Sequence, residues 1–157
     1  MTAAVRNLST SCRCALSTWT DEARVGALLT AYMPIGGVWT GHELVSEIRP
    51  CRSQPISIVA RWLVDRRIVN VTWRAETWIP RFQFDRSPCE VGVGGPLLGV
   101  QRCIADLCGF LDDLEVAEWF ATPNSWLQYR KPSMLVADDA EAVVQAARAD
   151  RFVATGW

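Results

Sequence analysis

The sequence predicts an α+β protein, mostly helical, with a winged-helix-like N-terminal lobe carrying one β-hairpin and an all-helical C-terminal lobe. Three observations lead there. Apolar residues recur at helical spacing through most of the chain. The spacing changes to strict alternation over "IVNVTWRAETWIPRFQF", residues 68–84. Before residue 86 the elements run helix, short strand, helix, helix, hairpin, which is the order of a winged helix-turn-helix.

Residues 1–18 show no periodicity and read as a flexible tail. The winged-helix-like lobe, residues 19–86, begins with "TDEARVGALLTAYM". Thr20 can cap this helix, Asp21 and Glu22 suit its first turn, and Ala23, Ala27, Leu28 and Ala31 share a face. "PIGGVW" ends the helix and leaves a short strand at Val38–Trp39. In "TGHELVSEIR", Thr40 with Glu43 three residues on makes a capping box worth about 1 kcal/mol, and Pro50 stops the helix. Ser53 is the expected cap of the next one, with Pro55 tolerated in its first turn and Ile56, Ile58, Val59, Trp62 and Leu63 forming a wide apolar face.

In the hairpin, Val69, Val71 and Trp73 alternate with Asn70, Thr72 and Arg74. A reversal at Ala75–Glu76 places Trp73 opposite Trp78, Val71 opposite Pro80 and Val69 opposite Phe82. A four-residue loop is the alternative, because Ala-Glu is a poor two-residue turn. Pro80 cannot donate a ladder bond, which puts its strand at an edge. Residues 87–95 read as a Gly- and Pro-containing linker, and 96–157 as helix throughout. One helix covers 96–109. A second starts at Asp112, with Glu115 completing another box. Pro123 and Pro132 bracket an irregular turn, and a closing helix covers about 139–152, acidic at its start and basic at its end.

Of the 157 residues, 50% are hydrophobic and 21% charged, a globular balance. No apolar run approaches the roughly 20 residues of a membrane span, and the N-terminus lacks the apolar stretch of a signal peptide, so the expected location is the cytoplasm. Six cysteines and one histidine, His42, give no paired metal-ligand spacing; the thiols read as free and no metal or cofactor is expected. The net charge of −1 conceals a polarity: residues 49–86 sum to +5 and residues 87–157 to −5.

Candidate chemistry is thin. "GVGGPLLG" has Leu97 where a dinucleotide fingerprint needs its third glycine, and Pro96 removes an amide. Asp112, Asp113, Glu115 and Glu118 are what a helix start attracts for dipole reasons. No nucleophile motif accompanies His42, so no catalytic residue is assigned. The basic segment offers a DNA-binding alternative through Arg52, Arg61, Arg66 and Arg74, with Arg74 on the wing. Trp62, Trp73 and Trp78 read as core between the third helix and the hairpin, and Trp119 as the inner face of its helix. Trp126, in the irregular turn, is expected to be partly exposed and forms a candidate surface patch with Tyr129 and Arg130.

The stretch "EWFATPNSWLQYRKPSMLV" resembles the C-terminal toxin-binding domain of Xre/ParS-type antitoxins. The matching residues are Trp119, Pro123, Asn124, Leu127, Pro132 and Leu135, followed by Ala146-Ala147-Arg148-Ala149. "WIPRFQFD" resembles the P-x-x-Q-F-D junction that precedes that domain. The likeness covers residues 78–152. Where the family has a Gly-Gly turn after the leucine, this chain has Gln128-Tyr129, and the N-terminal part does not resemble the family's DNA-binding domain. The resemblance implies a non-enzyme that dimerises and covers the cleft of an NAD-consuming toxin of the RES type. It puts Arg148, Asp150, Arg151 and Phe152 of the closing helix against that partner.

Overall fold

The structure, a computed structural model, describes residues 9–48, 53–85 and 94–156. Helix α1 spans Ser9–Tyr32 and takes in residues 9–18, which their lack of periodicity assigned to the tail. Once a stabilised turn exists, helix propagates through any stretch without a breaker, and "STSCRCALST" contains none. A 3-10 turn at Met33–Ile35 and left-handed Gly36 and Gly37 then lead into strand β1, Val38–Thr40. Helix α2, Gly41–Ile48, begins at the expected box: Glu43 accepts the Thr40 N–H at 2.7 Å and Thr40 Oγ1 accepts the Glu43 N–H at 3.2 Å. The Thr40 N–H, and after it the Thr40 side chain, hold the Glu43 carboxyl below the usual carboxylate range.

Helix α3, Pro55–Val64, starts with proline as expected. Its cap position is Gln54, in a left-handed conformation, not Ser53, and no side chain caps it. Strands β2, Val71–Trp73, and β3, Glu76–Pro80, form the hairpin. The turn is Arg74–Ala75, both with positive φ, the two-residue geometry that matches strand twist. Val71 therefore faces Trp78 and Trp73 faces Glu76, a slip of two residues from the expected pairing. A slip of two preserves which face each side chain occupies. Pro80 does not make β3 an edge strand. The sheet order is β1-β3-β2, with Pro80 at the end of the central strand opposite Val38.

Each sheet face supports its own core. Trp39 and Ile79 pack with Leu44, Ile48, Val59, Trp62, Ile68 and Phe84, joining the sheet to α2 and α3. Val71 lies in the other core, with Trp73 and Trp78 packed against it. Those two tryptophans, read as partners of the third helix, thus point the opposite way. Their side of the sheet meets α4 (Leu98–Leu107), α5 (Asp113–Ala121) and α7 (Ala140–Thr155), with the short α6 (Pro132–Leu135) beside them. Helix α1 joins this second core: Val25, Leu28 and Tyr32 are buried in it, and the Tyr32 hydroxyl donates to the Ala117 carbonyl. The expected division at residue 86 therefore does not separate the packing, since α1 sits with the C-terminal helices.

Gln83 stitches the two parts together. Its side chain is fully buried, accepts the Val69 N–H at 2.6 Å and donates to the carbonyls of Val69 and Pro80, both at 2.8 Å. An amide that binds both polar groups of one residue acts as a strand partner, so Val69 needs no ladder and the hairpin stops short of 68–84. The Gln83 carbonyl accepts Leu97 N–H at 2.8 Å, and Phe84 bridges to Pro96. Of the linker read at 87–95, residues 94 and 95 are described, and the Gly95 carbonyl accepts the Asp85 N–H at 3.3 Å.

Helices α4 and α7 meet at Gly99, where an added Cβ would stand 2.7 Å from the Ala140 Cβ and 3.2 Å from Val136 Cγ2. Glycine to alanine inside a helix is normally worth about 0.5–1 kcal/mol in favour of alanine. Here overpacking reverses the sign, and Gly99→Ala is expected to cost about 1–3 kcal/mol, seen as a lower urea midpoint at unchanged slope. A raised midpoint would show the helices to be farther apart.

Candidate functional site

The turn that carries the tryptophan motif is built around Asn124, which is 9% exposed. Its N–H donates to the Arg130 carbonyl at 3.1 Å, and its carbonyl accepts the N–H groups of Leu127 at 3.1 Å and Tyr129 at 2.9 Å. Its side-chain Oδ1 accepts the Trp126 N–H at 2.9 Å, and its Nδ2 donates to Asp150 Oδ2 at 2.7 Å. Every hydrogen-bonding group of this residue is in use. That is a physical reason for asparagine here, since aspartate lacks the donor and alanine lacks both side-chain groups.

The turn is closed against α7 by one carboxylate. Asp150 Oδ2 also accepts the Trp119 indole N–H at 2.7 Å, and Asp150 Oδ1 accepts the Trp126 indole N–H at 2.8 Å. Trp119, Asn124 and Trp126, which lie 31, 26 and 24 residues before it, thus converge on Asp150. Trp126 nevertheless stays 56% exposed and Tyr129 77% exposed. Pro123 is exposed, Leu127 is buried under the turn, and Pro132 is buried at the start of α6.

The other residues predicted on the closing helix are placed differently. Arg148 Nε and Arg151 Nη1 both reach Asp106 of α4, at 3.1 and 2.8 Å. At about 100° per residue, Phe152 falls on the Arg148 flank of α7, while Val153 lies about 60° around the helix from Asp150. The predicted partner-binding set is therefore split by the helix. Val153 of the same turn is 71% exposed and was not among the predicted residues; helical phase relative to Asp150 is the signal that could have found it. Residues 151–156 are all exposed, so Phe152 and Val153 both meet solvent at the last turn of α7, on different flanks.

Gln128 and Tyr129 both adopt left-handed backbone, with φ of 56° and 60°. They occupy the place of the Gly-Gly turn in the resembled family, and non-glycine residues there cost about 1–2 kcal/mol each. Gln128→Gly with Tyr129→Gly is expected to raise stability by about 1 kcal/mol after the entropy of the unfolded chain is counted. Calorimetry of the double variant checks this; a fall in melting temperature would mean that the Tyr129 ring holds the turn.

Two of the four arginines of the DNA-binding alternative pair with carboxylates within the chain. Arg66 pairs with Asp113 and Arg74 with Glu22, at 2.8 and 2.6 Å; Arg61 is exposed on α3. Arg52 lies outside the described residues. Helix α3 also exposes Ile56 and Val64, with exposed Ala60 between them, an apolar stripe where a groove-reading helix carries polar groups.

The acidic cluster dissolves into structural roles. Asp112 and Glu115 complete a capping box, Asp113 meets Arg66, and Glu118 meets Arg24. Burial pushes the Cys103 thiol up to about 12 and raises Cys108 as well, so neither is a thiolate at neutral pH. An open groove of about 390 Å³ between α1, β2 and the start of α5 is lined by Asp21, Arg24, Asn70, Thr72 and Trp73 among others. Among the described residues, no group of three or more His, Cys, Asp or Glu could hold a metal ion, and no helix is long and apolar enough to cross a membrane. No protein-family model matches the chain, and neither a curated protein nor a solved structure matches it with significance.

Proposed function

We propose that this protein is an antitoxin-like binding module that covers the cleft of a RES-type, NAD-consuming toxin in the cytoplasm. One observation carries the reading. The residues of the W-x-x-x-P-N pattern do not form a reactive site; they tie an exposed aromatic turn to the exposed end of α7. Trp126 and Tyr129 on the turn, with Arg130 beside them, and Phe152 and Val153 at the end of α7 are exposed aromatic and apolar side chains of the kind that supply interface anchors.

DNA binding by the basic lobe has less support, because two of its four candidate arginines are paired with carboxylates and α3 exposes Ile56 and Val64.

The test is inhibition of NAD consumption by a purified RES-type domain from the same genome. The wild-type chain is expected to suppress turnover near stoichiometry. Trp126→Ala is expected to weaken inhibition by about 30-fold, the loss of an anchor worth about 2 kcal/mol. Full turnover in the presence of excess wild-type chain would end this reading.

A further inference from the structure

We infer that Asp150 is a positioning residue of the binding face, presetting the Trp126 ring, and is not itself a contact to the partner. The inference rests on the function proposed above, and it reverses the role that the resemblance gave Asp150.

Three of the roughly four acceptor sites of its carboxylate are already in use. Oδ2 accepts from Trp119 and Asn124, both at 2.7 Å, and Oδ1 accepts from Trp126 at 2.8 Å. A partner donor would find one acceptor site left, on Oδ1 beside the Trp126 indole, while three N–H groups from two other elements fix the carboxylate in place. Asp150 itself is half-buried, whereas the Trp126 ring that it holds is exposed. An indole on a short turn otherwise samples several rotamers, and ordering it on binding weakens affinity. A hydrogen bond to a charged acceptor at the ring nitrogen removes that freedom in advance. The other acid–base contacts near the end of α7 do not serve this purpose, because Arg148 and Arg151 point to Asp106 on α4. The two carboxylates thus divide the work: Asp106 fastens the helix to the bundle, and Asp150 fastens the recognition turn to the helix.

Two readouts test this on the full-length protein. The first needs no partner. Indole N–H signals of Trp119 and Trp126 are assigned by Trp→Phe variants, and their solvent exchange is compared between wild type, Asp150→Ala and Asp150→Asn. Asp150→Ala is expected to speed exchange of both by about tenfold, the loss of a hydrogen bond to a charged group. Asp150→Asn keeps one acceptor oxygen and is expected to leave one indole protected and free the other. Unchanged exchange in a folded Asp150→Ala protein would overturn the inference.

The second readout is a double-mutant cycle on inhibition of the RES-type domain. If Asp150 acts through Trp126, Asp150→Ala weakens inhibition by about tenfold alone and adds nothing in a Trp126→Ala background. Additive losses would overturn the positioning role, because a direct contact or general destabilisation adds independently. Inhibition by Asp150→Ala equal to wild type, with the indole freed, would overturn it too. Failure of wild type to inhibit at all would remove the proposed function, and this role with it, whatever the indole signals show.

Discussion

Gln83→Leu is expected to destabilise the protein by about 3–5 kcal/mol, a drop in melting temperature on the order of 10 °C. Leucine fills a similar volume, so the loss is polar and not a cavity effect. It leaves the Val69 N–H, the Val69 carbonyl and the Pro80 carbonyl without the partner that Gln83 supplies in a fully buried site. Each stranded group costs about 1–3 kcal/mol, and local relaxation toward water recovers part of the total. Gln83→Glu is expected to be at least as damaging, since a carboxylate can accept from Val69 but opposes both carbonyls. Because the Gln83 backbone also holds Leu97, the variant should loosen the seam between the sheet and α4. Denaturation followed by tryptophan fluorescence and by far-ultraviolet dichroism reads this; a loss below about 1 kcal/mol would mean the amide is dispensable and the seam is held by packing.

Asn124→Ala is the second large effect, expected to cost about 2–4 kcal/mol. Two side-chain bonds disappear: the cap on the Trp126 N–H and one of the three legs on Asp150. The cost should appear both in stability and in exchange of the 124–130 amides, because the same residue closes the turn through its backbone. Asn124→Asp keeps the cap but sets a second carboxylate against Asp150, and at neutral pH it should be worse than alanine. Equal stability of Asn124→Asp and wild type would contradict the geometry of this contact.

Local chemistry made much of the fold legible. Thr40 with Glu43 and Asp112 with Glu115 marked helix starts that the structure reproduces. Alternation over 69–73 correctly put Val71 and Trp73 on one face. The hairpin register was not legible, because Arg74 and Ala75 take left-handed conformations that neither residue type advertises. The central place of β3 was obscured by Pro80, which is harmless at a strand end. Nor did the sequence place α1: the contacts of Tyr32 with Phe82 and Ala117 span 50 and 85 residues, beyond any local pattern.

The candidate site shows the same division. Exposure of Trp126 followed from the irregular turn around it. The convergence of Trp119, Asn124 and Trp126 on Asp150 did not, since a carboxylate on one helix and donors on a distant turn share no spacing rule. Asp106 was missed for that reason too, and it accounts for Arg148 and Arg151, which the resemblance would have sent to a partner.

The central claim is that the face made by the 124–130 turn and the end of α7 is where a protein partner sits. Amide hydrogen exchange with and without saturating RES-type domain tests it most directly. Slowing by about tenfold or more is expected at residues 124–130 and 150–156, the protection that arises where an interface core excludes water, with α3 and the hairpin unchanged. Slowing confined to α3 or to the 71–80 hairpin, with the turn and α7 unaffected, would contradict it.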